Sequence, residues 1–204
     1  MAISQTFLIL AGGTAVLSIV FGIRVAIRLM ADGGAARSDS SVAAAAGKSG
    51  APDVPGVIAL PPLIFLGFLA AAAVLEAVVP LPFMAGHAFP RYLVGAALAA
   101  GGFAMIAIGT RRLVAAGTNV PPILPTTALV VDGIYRRTRN PLYLGLTLIY
   151  LGLSVAAGSL WAIGLIVALM WVINVGVVAR EERYLERKFG DAYRAYKARV
   201  RRWV

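Results

Sequence analysis

The chain has 204 residues, of which 60% are hydrophobic and only 14% are charged, and its formal net charge at pH 7 is +10. Soluble domains carry roughly 25% charged residues, so this composition indicates an integral membrane protein. In such a protein an excess of Lys and Arg is first a signal of membrane topology, and we expect no nucleic-acid partner. The sequence has no cysteine and one histidine, which excludes disulfides and cysteine nucleophiles and predicts that no metal is bound.

Three apolar segments in the first half of the chain have about the length of a membrane-spanning helix. They cover residues 3–30, 57–79 and 92–108. Arg24 and Arg28 lie at the far end of the first segment, the reverse of a signal peptide, so we expect a retained helix. Residues 31–56 are rich in Gly, Ala, Ser and Pro and predict a flexible loop. The first predicted region is therefore residues 1–110, with three transmembrane helices.

Small residues are frequent in the third segment, where Gly95, Gly101 and Gly102 stand among alanines. Such surfaces let transmembrane helices approach each other closely. We therefore interpret these glycines as a helix-packing surface rather than as a ligand site.

The second region, residues 111–204, begins with a polar and basic stretch that prolines interrupt. Residues 141–178 hold two apolar runs, and the turn between them is so short that it predicts an antiparallel transmembrane hairpin. Residues 180–204 are basic and carry aromatic side chains at intervals of three or four, which predicts an amphipathic tail helix. The predicted fold is an all-α integral membrane protein with about five transmembrane helices, a cytoplasmic loop and this C-terminal helix.

The positions of Lys and Arg orient the five helices. Of the 19 basic residues, only Arg91 falls on the side that the N-terminus shares with the two short turns, and the other 18 fall on the opposite side. Because basic loops stay in the cytoplasm, we expect the N-terminus outside and the C-terminus in the cytoplasm. The loop before residue 141 and the tail then share one cytoplasmic face.

Two polar segments on that face have the residue types of a ligand site. Pro141 disfavours a helical conformation at the preceding Asn140, so a helix is predicted to begin at Pro141. Its free N–H groups would suit a carboxylate or phosphate. Arg139 and two tyrosines surround this start, and far along the chain Glu181 and Glu182 are predicted to open the tail helix. Together the segments could hold a zwitterionic, nucleoside-like ligand.

The first segment reads G-x-Y-x-x-x-R-N-P-x-Y from Gly133 to Tyr143, and the second reads E-E-x-x-L-x-x-x-F-G-x-x-Y-x-x-Y from Glu181 to Tyr196. This pair of motifs resembles the isoprenylcysteine carboxyl methyltransferase family, which shares its signature with membrane phospholipid N-methyltransferases. The resemblance covers roughly the C-terminal half. It implies an enzyme that transfers a methyl group from S-adenosyl-L-methionine to a lipophilic or small acceptor in the bilayer. Residues 116–122 resemble bacterial members, which implies a bacterial inner membrane.

The resemblance also implies which residues form the site. Arg139, Asn140 and Tyr143 would be catalytic. The residues implied to bind the cofactor come from both segments and are Leu129, Val130, Gly133, Tyr135, Arg139, Asn140, Pro141, Tyr143, Glu181 and Glu182. As hypotheses, Glu181 would bind ribose hydroxyls or the ammonium group, and Arg139 or the helix start would bind the carboxylate. Leu129 and Val130 would contact the adenine.

The sequence departs from the family pattern at two positions. Asn140 stands where eukaryotic members have histidine, and asparagine can replace its hydrogen bonds but not its titration. Val177 stands where the family has an arginine that binds the substrate carboxylate. This difference favours a different lipophilic or small acceptor over a prenylcysteine.

Plainer interpretations apply to neighbouring residues. Arg136 and Arg137 are typical of a topology anchor at the membrane surface. Phe189, Tyr193 and Tyr196 are typical of aromatic residues that dock a tail helix.

Two alternative functions also stay open, namely an NADPH-dependent membrane reductase of the sterol-reductase type and a non-catalytic membrane scaffold. Methyl transfer to a carboxylate or thiolate needs orientation and a dry site but no general base, so the scarcity of histidine and cysteine is no obstacle to it.

Overall fold

A computed structural model describes residues 53–81, 86 and 88–204. The predicted first transmembrane segment, residues 3–30, and nearly all of the predicted loop 31–56 lie outside these residues. Within the described ranges the secondary structure is helical and has no strands, as the sequence predicted.

Three helices precede the second half of the hairpin. They are α1 (Pro61–Val78), α2 (Ala88–Ala115) and α3 (Pro141–Ala157), with a short 3-10 turn at Gly133–Arg136 before α3. The remaining helices follow one another almost without interruption: α4 (Leu160–Gly164), α5 (Ile166–Ile173), a π-helical turn (Asn174–Val178) and α6 (Ala179–Arg199).

Among the described residues, three helices are long and apolar enough to cross a membrane. They are α1, α2 and the continuous run from Leu160 to Arg199, whereas α3 is a shorter apolar helix of 17 residues. The apolar part of the long run ends at the π-helical turn, and α6 beyond it is charged and amphipathic. The chain is thus an integral membrane protein, and α6 extends out of its apolar layer.

Helices α2 and α3 pack through direct backbone contact. A Cβ atom added to Gly102 would lie 2.5 Å from the carbonyl oxygen of Gly145, and one added to Gly95 would lie 2.6 Å from that of Gly152. The pairing of an early glycine with a late one makes the two helices antiparallel. The expected packing role is confirmed for Gly95 and Gly102, whereas no described residue lies within 4 Å of a Cβ added to Gly101.

The end of α1 is joined to the turn between α3 and α4. Gly158 ends α3 in the left-handed conformation with a φ of 66°, and Ser159 then caps α4. The Ser159 hydroxyl donates to Glu76 Oε2 (2.5 Å), and the Leu81 N–H donates to Glu76 Oε1 (2.9 Å). Trp161 Nε1 donates to the Val79 carbonyl (2.7 Å). This polar junction holds the hairpin against α1.

Several helix boundaries differ from the sequence prediction. Glu181 and Glu182 lie in the first turn of α6, as expected, but α6 continues a longer helix instead of starting a separate one, because the π-helical turn before it keeps the backbone helical. Helix α2 runs to Ala115 rather than to residue 108, and Gly117 follows it with a φ of 70°.

The tail was predicted to be helical to residue 204, but α6 ends at Arg199 and Val200 is extended. Inside α6, Gly190 has a φ of 52° and a ψ of −124°, which kinks the helix. Positive φ costs glycine little, so this residue allows the change in direction. We call residues Val200–Val204 the C-terminal segment.

Candidate functional site

A cleft opens between the loop before α3 and the first half of α6. Its volume is about 850 Å³ when the solvent at its open mouth is included. Both polar and apolar side chains line it. The lining comes from the segment before α1, the loop after α2, the start of α3 and α6: Pro55, Leu113, Asn119–Pro122, Thr126, Ala128–Val130, Tyr135, Arg139–Tyr143, Glu181, Glu182, Tyr184, Leu185, Tyr193 and Tyr196.

The two motif segments meet across this cleft, as the sequence predicted. The Tyr143 hydroxyl at the start of α3 donates to Glu181 Oε1 in α6 (2.5 Å). Further along α6, the Tyr196 hydroxyl donates to the backbone carbonyl of Tyr135 (2.7 Å). These two hydrogen bonds therefore join residues that are 38 and 61 positions apart in the sequence.

Glu181 is partly buried in the cleft wall, three residues beyond the π-helical turn and outside the apolar span. Burial raises the pKa of its carboxyl group from 4.5 to about 7; the hydrogen bond from Tyr143 lowers this pKa and the nearby Glu182 raises it. A carboxyl group in this position gains most from a partner that is cationic or donates hydrogen bonds. The cleft therefore contains a carboxyl group whose charged form a cationic or hydrogen-bond-donating ligand would stabilise.

Arg139 is the cationic group of the same cleft. Its Nη2 lies 3.1 Å from Glu182 Oε1, and the two side chains are only 10% and 7% exposed. The remaining Arg139 nitrogens, Nε and Nη1, are buried and have no hydrogen-bond partner within the described part of the chain. The phenol of Tyr193 lies close to this guanidinium group, which acts to lower the Tyr193 pKa. Buried donors in folded proteins are nearly always paired. These two donors are suited to an anionic ligand group such as a carboxylate.

The loop before α3 is held by local hydrogen bonds. Helix α3 begins at Pro141, as predicted, with Asn140 as its N-cap residue. The Asn140 side chain does not cap the helix, because its amide donates to the carbonyl of Arg202 (2.9 Å). Its backbone N–H donates to the Thr138 hydroxyl (3.2 Å). Asn140 therefore fixes the loop, and the N–H groups of the first turn receive no side-chain cap.

The rest of the lining, which we call the apolar wall, consists of apolar and aromatic side chains. Val130, Tyr135, Tyr193 and Tyr196 form a buried cluster, against which Leu129 packs. Tyr193 and Tyr196 meet edge to face, with ring centroids 6.1 Å apart. Burial raises the pKa of Tyr193 to about 12 and that of Tyr135 further still, so both phenols stay neutral. The expected docking role of the tail aromatics fits this packing, although Tyr193 and Tyr196 also line the cleft.

Every predicted cofactor-binding residue except Gly133 lines the cleft. Gly133 instead begins the 3-10 turn with a φ of 57°, and an added Cβ would lie 2.8 Å from Arg112 Nε. Arg136 and Arg137 are exposed, consistent with surface anchors. Val177 is fully buried in the helix core and does not reach the cleft.

Sequence reasoning missed two contributions to the site. The first is the C-terminal segment, which bonds the loop through the carbonyls of Arg201 and Arg202. The second is Tyr184, whose hydroxyl accepts from the Thr126 N–H (3.0 Å) and contacts Asp53 Oδ1 (3.0 Å). Lys188 Nζ also lies 2.6 Å from that oxygen. The regular spacing of aromatic residues in the tail could have indicated Tyr184. The C-terminal segment acts through backbone carbonyls, which every residue has, so its sequence gives no comparable signal.

Comparison with known proteins adds independent evidence. The phospholipid methyltransferase family model matches residues 90–192, which include α2, α3, the loop between them and α6 past its kink. An uncharacterized protein of Haemophilus influenzae is 52% identical over 64 residues, which is 31% of this chain and 100% of that protein.

Protein-S-isoprenylcysteine O-methyltransferase of Schizosaccharomyces pombe is 35% identical over 72 residues, which is 35% of this chain and 30% of the yeast enzyme. The match therefore spans less than a third of the yeast enzyme's length. No solved structure matches the chain significantly. The family match covers half of the chain, including the loop before α3 and the first half of α6, and on this evidence the chain belongs to the phospholipid methyltransferase family of membrane proteins.

Proposed function

We propose that this membrane methyltransferase uses S-adenosyl-L-methionine and transfers its methyl group to a lipophilic or small acceptor. The observation that carries the proposal is that one cleft contains both a cation with unpaired hydrogen-bond donors and a carboxyl group. Two unpaired donors of Arg139 and the carboxyl group of Glu181, which has a raised pKa, line the same space. The methionine part of S-adenosyl-L-methionine has both a carboxylate, which could bind to Arg139, and an ammonium group, which could bind to Glu181.

The residues present fit this molecule. Arg139 Nε and Nη1 would bind the carboxylate, and Glu181 would bind the ammonium group or the ribose hydroxyls. Leu129 and Val130 on the apolar wall would contact the adenine. When bound, S-adenosylmethionine supplies a methyl group that its sulfonium already activates.

The protein's own contribution would be orientation and exclusion of water. Tyr143 is buried, and its hydrogen bond to Glu181 ties the start of α3 to α6, so the ligand-binding groups move little relative to each other. Asn140 keeps the loop in register beside Arg139. Fixed groups of this kind lower the entropic cost of reaching the reactive geometry. We assign Arg139, Asn140 and Tyr143 to the catalytic centre on this basis.

The acceptor would come from the bilayer. The helices that lead from the cleft are apolar, and Val177 provides no cation for an acceptor carboxylate. The excess of Lys and Arg on the cleft side supports a cytoplasmic location for the site, in the inner membrane of a bacterium.

Calorimetric titration of the purified protein in detergent tests the cofactor. We expect S-adenosylmethionine and its product S-adenosylhomocysteine to bind, and NADPH to give no signal. Binding of NADPH alone would favour a reductase, and silence with all three would favour a scaffold. Transfer of labelled methyl groups to extracted membrane lipids and to a prenylcysteine analogue, assayed in parallel, then identifies the acceptor class.

A further inference from the structure

The C-terminal segment runs back along the loop of the site. The carbonyl of Arg201 accepts from the backbone N–H of Arg139 (3.1 Å). The carbonyl of Arg202 accepts from the Thr138 hydroxyl (3.1 Å) and from the Asn140 side chain (2.9 Å). Three consecutive loop residues are therefore each bonded to the end of the chain.

The far end of this segment is fixed separately. Trp203 Nε1 donates to the Asn174 Oδ1 in the π-helical turn (3.2 Å), and the indole packs against the buried helix core. The segment is thus held at a fixed position between the loop and the long helix.

The Arg202 side chain binds both oxygens of Glu182. Its Nε lies 3.0 Å from Oε1 and its Nη2 lies 2.6 Å from Oε2, which is a bidentate pair. Glu182 is also the partner of Arg139, through Oε1 alone. One nearly buried carboxylate therefore lies between two arginines, and Arg202 makes the larger share of its hydrogen bonds.

This division leaves Arg139 with unused donors. A carboxylate that paired with Arg139 alone could accept two hydrogen bonds from it. Two donors of Arg139 would then be used within the protein and would not be available to a ligand. Because Arg202 binds both oxygens of Glu182, Arg139 contacts this carboxylate through Nη2 alone, and its Nε and Nη1 remain unpaired.

We propose that Arg202 is a positioning residue, which occupies the Glu182 carboxylate so that two donors of Arg139 stay available for the carboxylate of the bound donor molecule. The inference rests on the proposed function, since it assumes a ligand with a carboxylate. Arg202 acts only through Glu182 and Arg139 and does not line the cleft.

The test compares two ligands that differ in the amino-acid part. S-adenosylhomocysteine has the carboxylate, whereas 5′-methylthioadenosine retains the nucleoside and the sulfur but lacks it. We expect Arg202→Ala to weaken binding of S-adenosylhomocysteine by between about 10-fold and about 100-fold, the usual scale for a misplaced binding group, and to leave 5′-methylthioadenosine unchanged. Arg202→Lys should fall between the wild type and the alanine variant.

Arg199→Ala is the matched control, because Arg199 is exposed and, among the residues that the structure describes, bonds only to the Ala195 carbonyl in its own helix. It should change neither affinity. Equal weakening of both ligands by Arg202→Ala would show a merely structural role and overturn the inference, as would unchanged binding of both. Should Arg202→Ala fail to fold, the ligand selectivity of Arg202→Lys decides the same question. If the wild type binds neither ligand, the proposed function itself is wrong.

Discussion

Helix α3 is held in place in two different ways. Along its length, Gly145 and Gly152 bring α3 against the backbone of α2, and these contacts involve no charged group. At its first turn, Tyr143 meets Glu181, and the neighbouring Arg139 meets Glu182. The glycine contact leaves no room for an added Cβ atom, whereas the polar end leaves donors unpaired and a carboxyl group with a raised pKa. Changes in the first region should therefore cost stability, and changes in the second should cost binding.

The largest effect is expected at the glycine contact. Gly102→Val would place a side chain 2.5 Å from the Gly145 carbonyl, and neither backbone can move without separating the helices. We expect destabilisation on the order of 3 kcal/mol, seen as a loss of monodisperse protein in detergent or a large fall in the melting temperature.

The adjacent Gly101→Ala is the control, because a Cβ at this position meets none of the residues that the structure describes within 4 Å. It should leave the protein intact or stabilise it by about 0.5–1 kcal/mol, the usual gain for alanine over glycine in a helix. Similar destabilisation by both variants would refute the close approach of α2 and α3.

Glu181→Gln should separate binding from stability. In the folded protein the carboxyl group keeps its proton up to about pH 7, whereas its ordinary pKa is 4.5, so stability falls as pH rises between these values. At pH 8 the full penalty is up to about 3 kcal/mol. The glutamine variant should therefore resist thermal unfolding better than the wild type at pH 8 but not at pH 4.5. Because it has no charge, it should bind S-adenosylhomocysteine about tenfold more weakly or worse.

Glu186→Gln makes the same chemical change on the same helix, where the side chain is 36% exposed and pairs with Lys197. It should alter neither the pH profile nor the affinity. A wild type and a Glu181→Gln variant with parallel melting curves from pH 4.5 to 8 would contradict the assigned environment of Glu181.

The smallest effect is expected at the junction between α1 and the hairpin turn, away from the cleft. Ser159→Ala removes the hydrogen bond to Glu76 and the cap of α4. A lost cap of this type costs about 1 kcal/mol, or about 2–4 °C in melting temperature. Ser159→Thr retains the hydroxyl and should recover most of this loss. Ligand affinity should be unchanged in both variants, and a drop in affinity would mean that the two ends of α3 are coupled.

The sequence predicted the meeting of the two motif segments because both contain dense, unusual combinations of charge, tyrosine and proline. Apolar runs likewise predicted the helices, but their ends depended on details such as the π-helical turn, which has no clear residue signature. The C-terminal segment was missed because it acts on the loop through the carbonyls of Arg201 and Arg202, which every residue type has. Which glycines of α2 face α3 could not be read either, since this depends on the partner helix.

The most direct test of the account is a structure of the full chain in complex with S-adenosylhomocysteine. The account predicts one ligand in the cleft, with its carboxylate within hydrogen-bond distance of Arg139 Nε or Nη1, and with its ammonium group or ribose at Glu181. A ligand that lies elsewhere, or one that occupies the cleft while both Arg139 nitrogens stay unpaired, would contradict it.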